Sequence, residues 1–377
     1  IMRPEYIKLD TDKPTYIRKD RLNAIANIDM TVFDCDGVLL DVRRSYNKAV
    51  AKTTIMIIDA FTGTMLPDTL FDGALNFKYK ITGGFNSDWA HTYAYIMRIL
   101  VEAGPEGLKE INRMATESLK FQKPSDRFNF IEGKLDIPIK LDGLYEKLEQ
   151  FASRLDSTGI ESVNRELLET VGTGVTETIN FRGEVGESML STLFEELFGG
   201  KKLFTETFGL LPSFVEVENG IVGEEEIVIL ESTIDLFEEL YGAPRFGIAS
   251  GSMANTARHA LGDILYRFPK QSQIWHDVVD AAMDELGKQG LHKPNKFPLM
   301  KAAESYRPIK QGLYVGDTMA DYYTAKNAGN EFIFAGVYEC VHVAEAAMNA
   351  FLDRGSDIVA PTVNDLPMII LYAREQQ

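Results

Sequence analysis

The sequence predicts an α/β protein: a doubly wound parallel sheet with a large, mainly α-helical domain inserted after the first strand. Three observations carry that reading. Residues 28–33, Ile-Asp-Met-Thr-Val-Phe, form an apolar run that ends abruptly in Asp34-Cys35-Asp36-Gly37. After residue 231, short apolar runs alternate with amphipathic helical stretches. Between these regions, residues 45–225 follow helical spacing and contain no further strand ending in acids.

The first run suits a strand buried on both faces, and ligands of open α/β sheets sit beyond the carboxyl ends of such strands. Asp34 and Asp36 stand two apart on an extended segment, so their side chains leave by one face. Two carboxylates that close repel each other, which calls for a cation or a shifted proton. Gly37 permits a tight reversal that a Cβ would obstruct. Cys35 leaves by the opposite face and is expected to be a small packed side chain without a chemical role.

Composition narrows the classes of function. The chain has 377 residues, 45% hydrophobic and 25% charged, which is enough for two substantial domains and against long disorder. A net charge of -17 argues against unaided binding to nucleic acid or to an anionic membrane, since both need a basic footprint. With only two cysteines, Cys35 and Cys340, there is neither a disulfide framework nor a C-x-x-C zinc pattern, and reduced cytoplasmic thiols are expected. No apolar leader or stretch near twenty apolar residues suggests a signal peptide or a membrane span.

Taken in order, residues 1–27 show no sustained period and are expected to lie on the core as an N-terminal extension. Tyr46, Ala49, Val50, Thr53 and Ile57 then mark a helix reaching Phe61, closed by Gly63 and Pro67. Further helices are predicted over 66–77, 88–103, 107–122, 142–154, 162–171 and 187–198. Gly199-Gly200-Lys201-Lys202 and Gly223-Glu-Glu-Glu226 read as exposed turns. A helix near Ile234–Leu240 precedes a strand at 245–249, which stops at Ser250-Gly251-Ser252. Helices are expected from there to about residue 287. Strands follow at 312–315, 332–337 and 357–360, and a last helix at about 364–374.

The segment Asp34-x-Asp36-Gly-Val-Leu resembles the first motif of the haloacid dehalogenase superfamily, specifically its aspartate-nucleophile phosphatases and mutases. Three further motifs stand in that superfamily's order. Ser250, followed by Gly251, resembles the second, which binds phosphate oxygens at a helix start. Lys293-Pro294 resembles the third, with Lys296 and Lys301 as competing lysines. Gly316-Asp317-x-x-x-Asp321 resembles the fourth. The core would then be Rossmann-like and span 28–44 and 226–377, with a helical cap over 45–225 that is far larger than a minimal one. The resemblance implies Asp34 as nucleophile and Asp36 as general acid and base, with Lys293, Ser250 and Gly251 on the phosphate. Mg2+ would be held by Asp34, the Asp36 carbonyl and Asp317, with Asp321 as an outer ligand or support.

Asp41-Val-Arg-Arg44-Ser-Tyr46 and Gly83-Gly84-Phe85-Asn86-Ser87-Asp88-Trp89 resemble a group of phosphoglycolate-phosphatase-like proteins. Gly83–Trp89 is the candidate specificity loop, with Asn86, Asp88 and Trp89 reading the leaving group; the alternative is an interhelix turn with Trp89 packed inward. Arg43 or Arg44, and more weakly Arg182, would meet a second anionic group or form surface pairs. The expectation is a cytoplasmic phosphatase acting on a small phosphorylated metabolite. A β-phosphoglucomutase-like mutase, or a partner- or effector-binding protein with vestigial catalysis, are the alternatives.

Overall fold

The computed structural model describes residues 4–85, 87–180 and 182–377. It divides into two units, Ile1–Arg43 with Glu225–Gln377, and Arg44–Glu224.

Among its described residues the first unit holds ten strands: β1 (Tyr6–Leu9), β2 (Thr15–Arg18), β3 (Met30–Phe33), β4 (Leu40–Asp41), β5 (Glu226–Ile227), β6 (Phe246–Ala249), β7 (Gln273–Ile274), β8 (Gly312–Gly316), β9 (Phe332–Val337) and β10 (Ile358–Ala360). Eight of them make one sheet in the order β1-β2-β10-β9-β8-β3-β6-β7, while β4 and β5 pair separately. From β10 to β7 all neighbours are parallel. The chain leaves the central β3 for β6 on one side and later returns to β8 on the other. That reversal of winding opens a crevice at the carboxyl end of β3.

Alternation along the strands explains why helices cover both faces. Phe33, Leu313, Val315, Ile333 and Ile358 point into one core, with Phe237 and Ile370 from the covering helices. Met30, Val32, Tyr314, Phe334 and Val359 point into the other, with Leu299, Tyr322 and Phe351. Since successive side chains of a strand take opposite faces, a strand buried on both reads as a continuous apolar run.

Two features depart from the sequence expectations. The segment before β3, expected to lie on the core, contributes an antiparallel hairpin, and its β2 continues the sheet beyond β10. A buried carboxylate anchors it: Asp357, 1% exposed, has Arg21 Nε at 3.0 Å from Oδ1 and accepts the Phe334 N–H at Oδ2. The run expected as helices to residue 287 is interrupted by β7, a two-residue strand too short to show a period.

The second unit is helical, with a core of its own that includes Ile57, Phe61, Tyr95, Ile96, Phe151, Leu193 and Phe194. Helix Ser45–Thr62 ends at Gly63 in the left-handed conformation, as its glycine suggested. Helices Pro124–Ile131 and Thr173–Ile179 were not evident from the sequence, being short. The Gly199-Gly200 pair is no exposed turn. It lies within Met189–Phe208, where Gly200 is non-helical at φ 65° and kinks the helix. A Cβ on Gly200 would stand 2.4 Å from the Gly220 backbone nitrogen. Beside it, the buried carboxylate of Glu196 accepts the N–H groups of Ser213, Phe214 and Val215 at 2.6–3.0 Å.

Gly200→Ala should therefore combine left-handed strain with a backbone clash and destabilise the protein by roughly 2 kcal/mol or more. Urea unfolding reads this as a lower midpoint at unchanged slope; an unchanged midpoint would contradict the kink's role.

Candidate active site

The chemistry-bearing residues stand where strands end. Asp34 follows β3, and its N–H donates to Val315 O at 2.8 Å, carrying the β3–β8 ladder one step past the strand. Asp34 is 5% exposed, and its Oδ1 accepts the Cys35 N–H at 2.8 Å. The chain then reverses at Gly37, φ 74°, whose N–H donates to Leu40 O. A Cβ there would lie 2.2 Å from Asp317 Oδ2, so glycine is required both by the turn and by the carboxylate packed against it. Asp36 is partly buried, and Cys35 is fully buried.

Lys293 joins the acids. Its Nζ lies 2.9 Å from Asp34 Oδ2 and 2.7 Å from Asp321 Oδ1, with the side chain 15% exposed. The two competing lysines are elsewhere: Lys301 pairs with Glu304, and Lys296 is exposed at the start of helix Phe297–Ala303. Asp321 is fully buried and saturated. Its Oδ1 also accepts from the Tyr314 hydroxyl at 2.9 Å, and its Oδ2 accepts the Thr318 N–H and hydroxyl, closing a capping box on helix Met319–Ala328.

The electrostatics follow from this crowding. Burial, with the Asp321 charge adding to it, pushes Asp34 up to about 7 against the opposing pull of Lys293. Lys293 resists its own desolvation because Asp321 and Asp34 hold it well above the usual lysine range, so it stays charged. Asp34, Asp317 and Asp321 each offer a carboxylate oxygen, and these atoms all lie within 4.8 Å of one another. The Asp36 carboxylate is outside that group.

Ser250 directly follows β6, the parallel neighbour of β3, and is 4% exposed. Its N–H donates to Ile274 O, and its Oγ accepts the Ser252 N–H at 3.2 Å. Gly251 is exposed with open space where a Cβ would be. The structure thus gathers Asp34, Lys293, Asp317 and Asp321 in one crevice and places Ser250 and Gly251 at the same end of the sheet.

The remaining candidates have other surroundings. Arg43 is bound by the Asp41 carboxylate and Glu339 O, whereas Arg44 is exposed ahead of helix Ser45–Thr62. Arg182 pairs with Glu161 on the surface. Asn86 lies outside the described residues. The rest of its loop joins helices Gly73–Lys80 and Asp88–Leu100, and Gly84 sits so near Gly159 that a Cβ would be 2.3 Å from its nitrogen. Trp89 packs on the helical core and donates its indole N–H to Glu195 Oε1 at 3.1 Å. Asp88 Oδ1 lies 3.5 Å from Nδ1 of the buried His91. Sequence reasoning missed two partners: Tyr314, which reads as strand apolar filler, and Glu195, which lies far from Trp89 in the chain.

Known proteins bear on this arrangement as follows. The family model described as haloacid dehalogenase-like hydrolase matches residues 28–329. No curated protein matches the chain. Among solved structures, an X-ray structure of a Northeast Structural Genomics Consortium target is similar at TM-score 0.68 and 18% identity, covering 93% of this chain and all of that one. A crystal structure from Lactobacillus plantarum, described provisionally as a phosphoglycolate phosphatase, aligns at TM-score 0.39 and 13% identity over 92% of this chain and 99% of that one. The first of these likenesses shows the fold. Among the described residues no helix is long and apolar enough to cross a membrane.

Burial pushes the Glu195 carboxyl from its ordinary 4.5 up to about 7. Folded protein keeps this proton at a pH where the unfolded chain has lost it, so stability is full below about 4.5, falls as pH rises towards about 7, and stays lower above. Glu195→Gln cannot ionise and should gain melting temperature relative to the parent between pH 5 and pH 8. A gap that does not change with pH would show that Glu195 ionises normally.

Proposed function

The chain belongs to the haloacid dehalogenase-like hydrolases, and from that premise we propose that it is a magnesium-dependent phosphatase of a small soluble phosphomonoester, working through an aspartyl-phosphate at Asp34. The observation that carries this reading is the single ammonium of Lys293 shared by the buried carboxylates of Asp34 and Asp321, with Asp317 within reach. One lysine leaves these acids with an excess of negative charge, which suits a divalent cation. Oxygen-only donors suit a hard ion: Asp34, Asp317 and the Asp36 carbonyl would hold Mg2+, with Asp321 behind them. Bound there, the ion would supply charge neutralisation on the phosphoryl oxygens.

The residues of the chain then divide the work. The Ser250 hydroxyl and Gly251 N–H donate to phosphate oxygens, and Lys293 places its charge between nucleophile and phosphoryl group. A phosphate monoester resists attack because its oxygens repel nucleophiles, so these donors lower the barrier by neutralising charge. The Cys35 N–H holds the Asp34 carboxylate in place, and one of its oxygens bonds to phosphorus as the ester oxygen departs. Asp36 gives its proton to that departing alkoxide. As a carboxylate it then takes a proton from water, whose oxygen attacks phosphorus and releases inorganic phosphate and the Asp34 carboxylate.

Phosphate release from a panel of phosphate esters, with and without Mg2+, tests this. The parent should turn over only with Mg2+, and Asp34→Asn should lose on the order of 10^3-fold or more. Equal release by Asp34→Asn would remove it as the nucleophile. No release from any ester would set the phosphatase reading aside in favour of phosphoryl transfer between sugar phosphates or of partner binding.

A further inference from the structure

Outside the acid crevice, the structure assembles a second group of metal-ligating side chains. His276 and Asp280 are one turn apart at the start of helix His276–Leu286, and His292 comes from the loop that leads into Lys293. The two imidazoles stack at 4.2 Å between centroids and 21° between planes, and both present Nε2 to one carboxylate. His292 Nε2 is 2.7 Å from Asp280 Oδ1, and His276 Nε2 is 3.4 Å from Asp280 Oδ2. One donor atom from each residue lies within 4.8 Å of the others.

We propose that His276, Asp280 and His292 form a binding site for a transition-metal cation of the zinc type, which fastens the Lys293 loop to the helix beginning at His276. The donor chemistry decides the class of ion. Two imidazole nitrogens and one carboxylate oxygen suit zinc, cobalt, nickel or copper, whereas magnesium and calcium prefer oxygen alone. Among the described residues there are thus two donor sets of different character, an oxygen set at Asp34, Asp317 and Asp321 and this mixed set. For ligand bonds of about 2.0–2.2 Å the two stacked rings must turn out of parallel so that both Nε2 lone pairs meet at one point, a rotation open to side chains that are partly exposed. Each histidine would bind as the neutral imidazole through Nε2, with its one ring proton on Nδ1. Three protein ligands leave the remaining position to water.

The attachment points give the site its consequence. His292 precedes Lys293 directly, and the His276 N–H donates to Ser252 O at 3.0 Å, in the loop that starts at Ser250. A cation here would cross-link the loop that leads into Lys293 to the helix whose first N–H holds the loop of residues 250–252.

Zinc is the probe, titrated into the full chain with Mg2+ in excess so that the oxygen set is filled, against a chromophoric chelator. The parent should take up one equivalent of zinc that His276→Gln and His292→Gln both lose, while Asp317→Asn keeps it. Co2+ in place of zinc should give a visible absorption band that disappears in the same two variants. Hydrogen exchange should slow over residues 288–296 of the parent on adding zinc and stay unchanged in the variants, a readout independent of phosphatase activity. Circular dichroism confirms that the variants fold. Equal zinc uptake by the parent and both histidine variants, or uptake lost in Asp317→Asn alone, would overturn the site.

Discussion

A charged lysine enclosed by carboxylates at the end of a sheet is the constraint on which the rest of this structure depends. Removing an ammonium and two carboxylates from water costs several kcal/mol per ion unless geometry and hydrogen bonds return it. The core meets that requirement residue by residue. Lys293 reaches both Asp34 and Asp321, Tyr314 and Thr318 occupy other lone pairs of Asp321, and the Cys35 N–H occupies one of Asp34. Even so the charges do not balance: burial and the neighbouring acid hold Asp34 up to about 7. This shortage of positive charge among buried acids is the observation on which the proposed phosphate and metal site rests.

Topology places these groups together. Because winding reverses at β3, the strand ends bearing Asp34, Ser250 and Asp317 are neighbours although they come from distant parts of the chain. Close backbone approach then shapes the crevice, with Gly37 and Gly316 leaving room for the side chains of Asp317 and Asp321. At the far side of the sheet the same physics recurs in a structural role. Asp357 is buried beside Arg21 and attaches the N-terminal hairpin without any feature of an active crevice.

The helical unit is stabilised separately. Its apolar core is continuous within residues 49–222, and buried polar groups in it work as clips, with Glu196 gathering three backbone N–H groups and Glu195 receiving the Trp89 indole. An insertion with its own core can grow without disturbing the sheet, since the two segments of the first unit pair with each other through β4 and β5.

The fold class and most of the acid site were legible because their determinants are local. Apolar runs ending in Asp34, Ser250 and Asp317 announce buried strands and what they deliver, and Gly37 and Gly63 announce reversals at positive φ. The short strands β1, β2 and β7 were not legible, since they carry no continuous apolar run and their pairing comes from neighbours remote in sequence. Nor was Gly200, where a glycine that promises a turn is held inside a helix by the backbone at Gly220. By itself the sequence determined the order of strands and helices and the residue types at their ends, because backbone propensity and hydrophobic period act over a few residues. Only the tertiary structure decided which lysine meets Asp34, that Tyr314 supports Asp321, and that His276, Asp280 and His292 converge, because those pairings depend on distances that the chain acquires on folding.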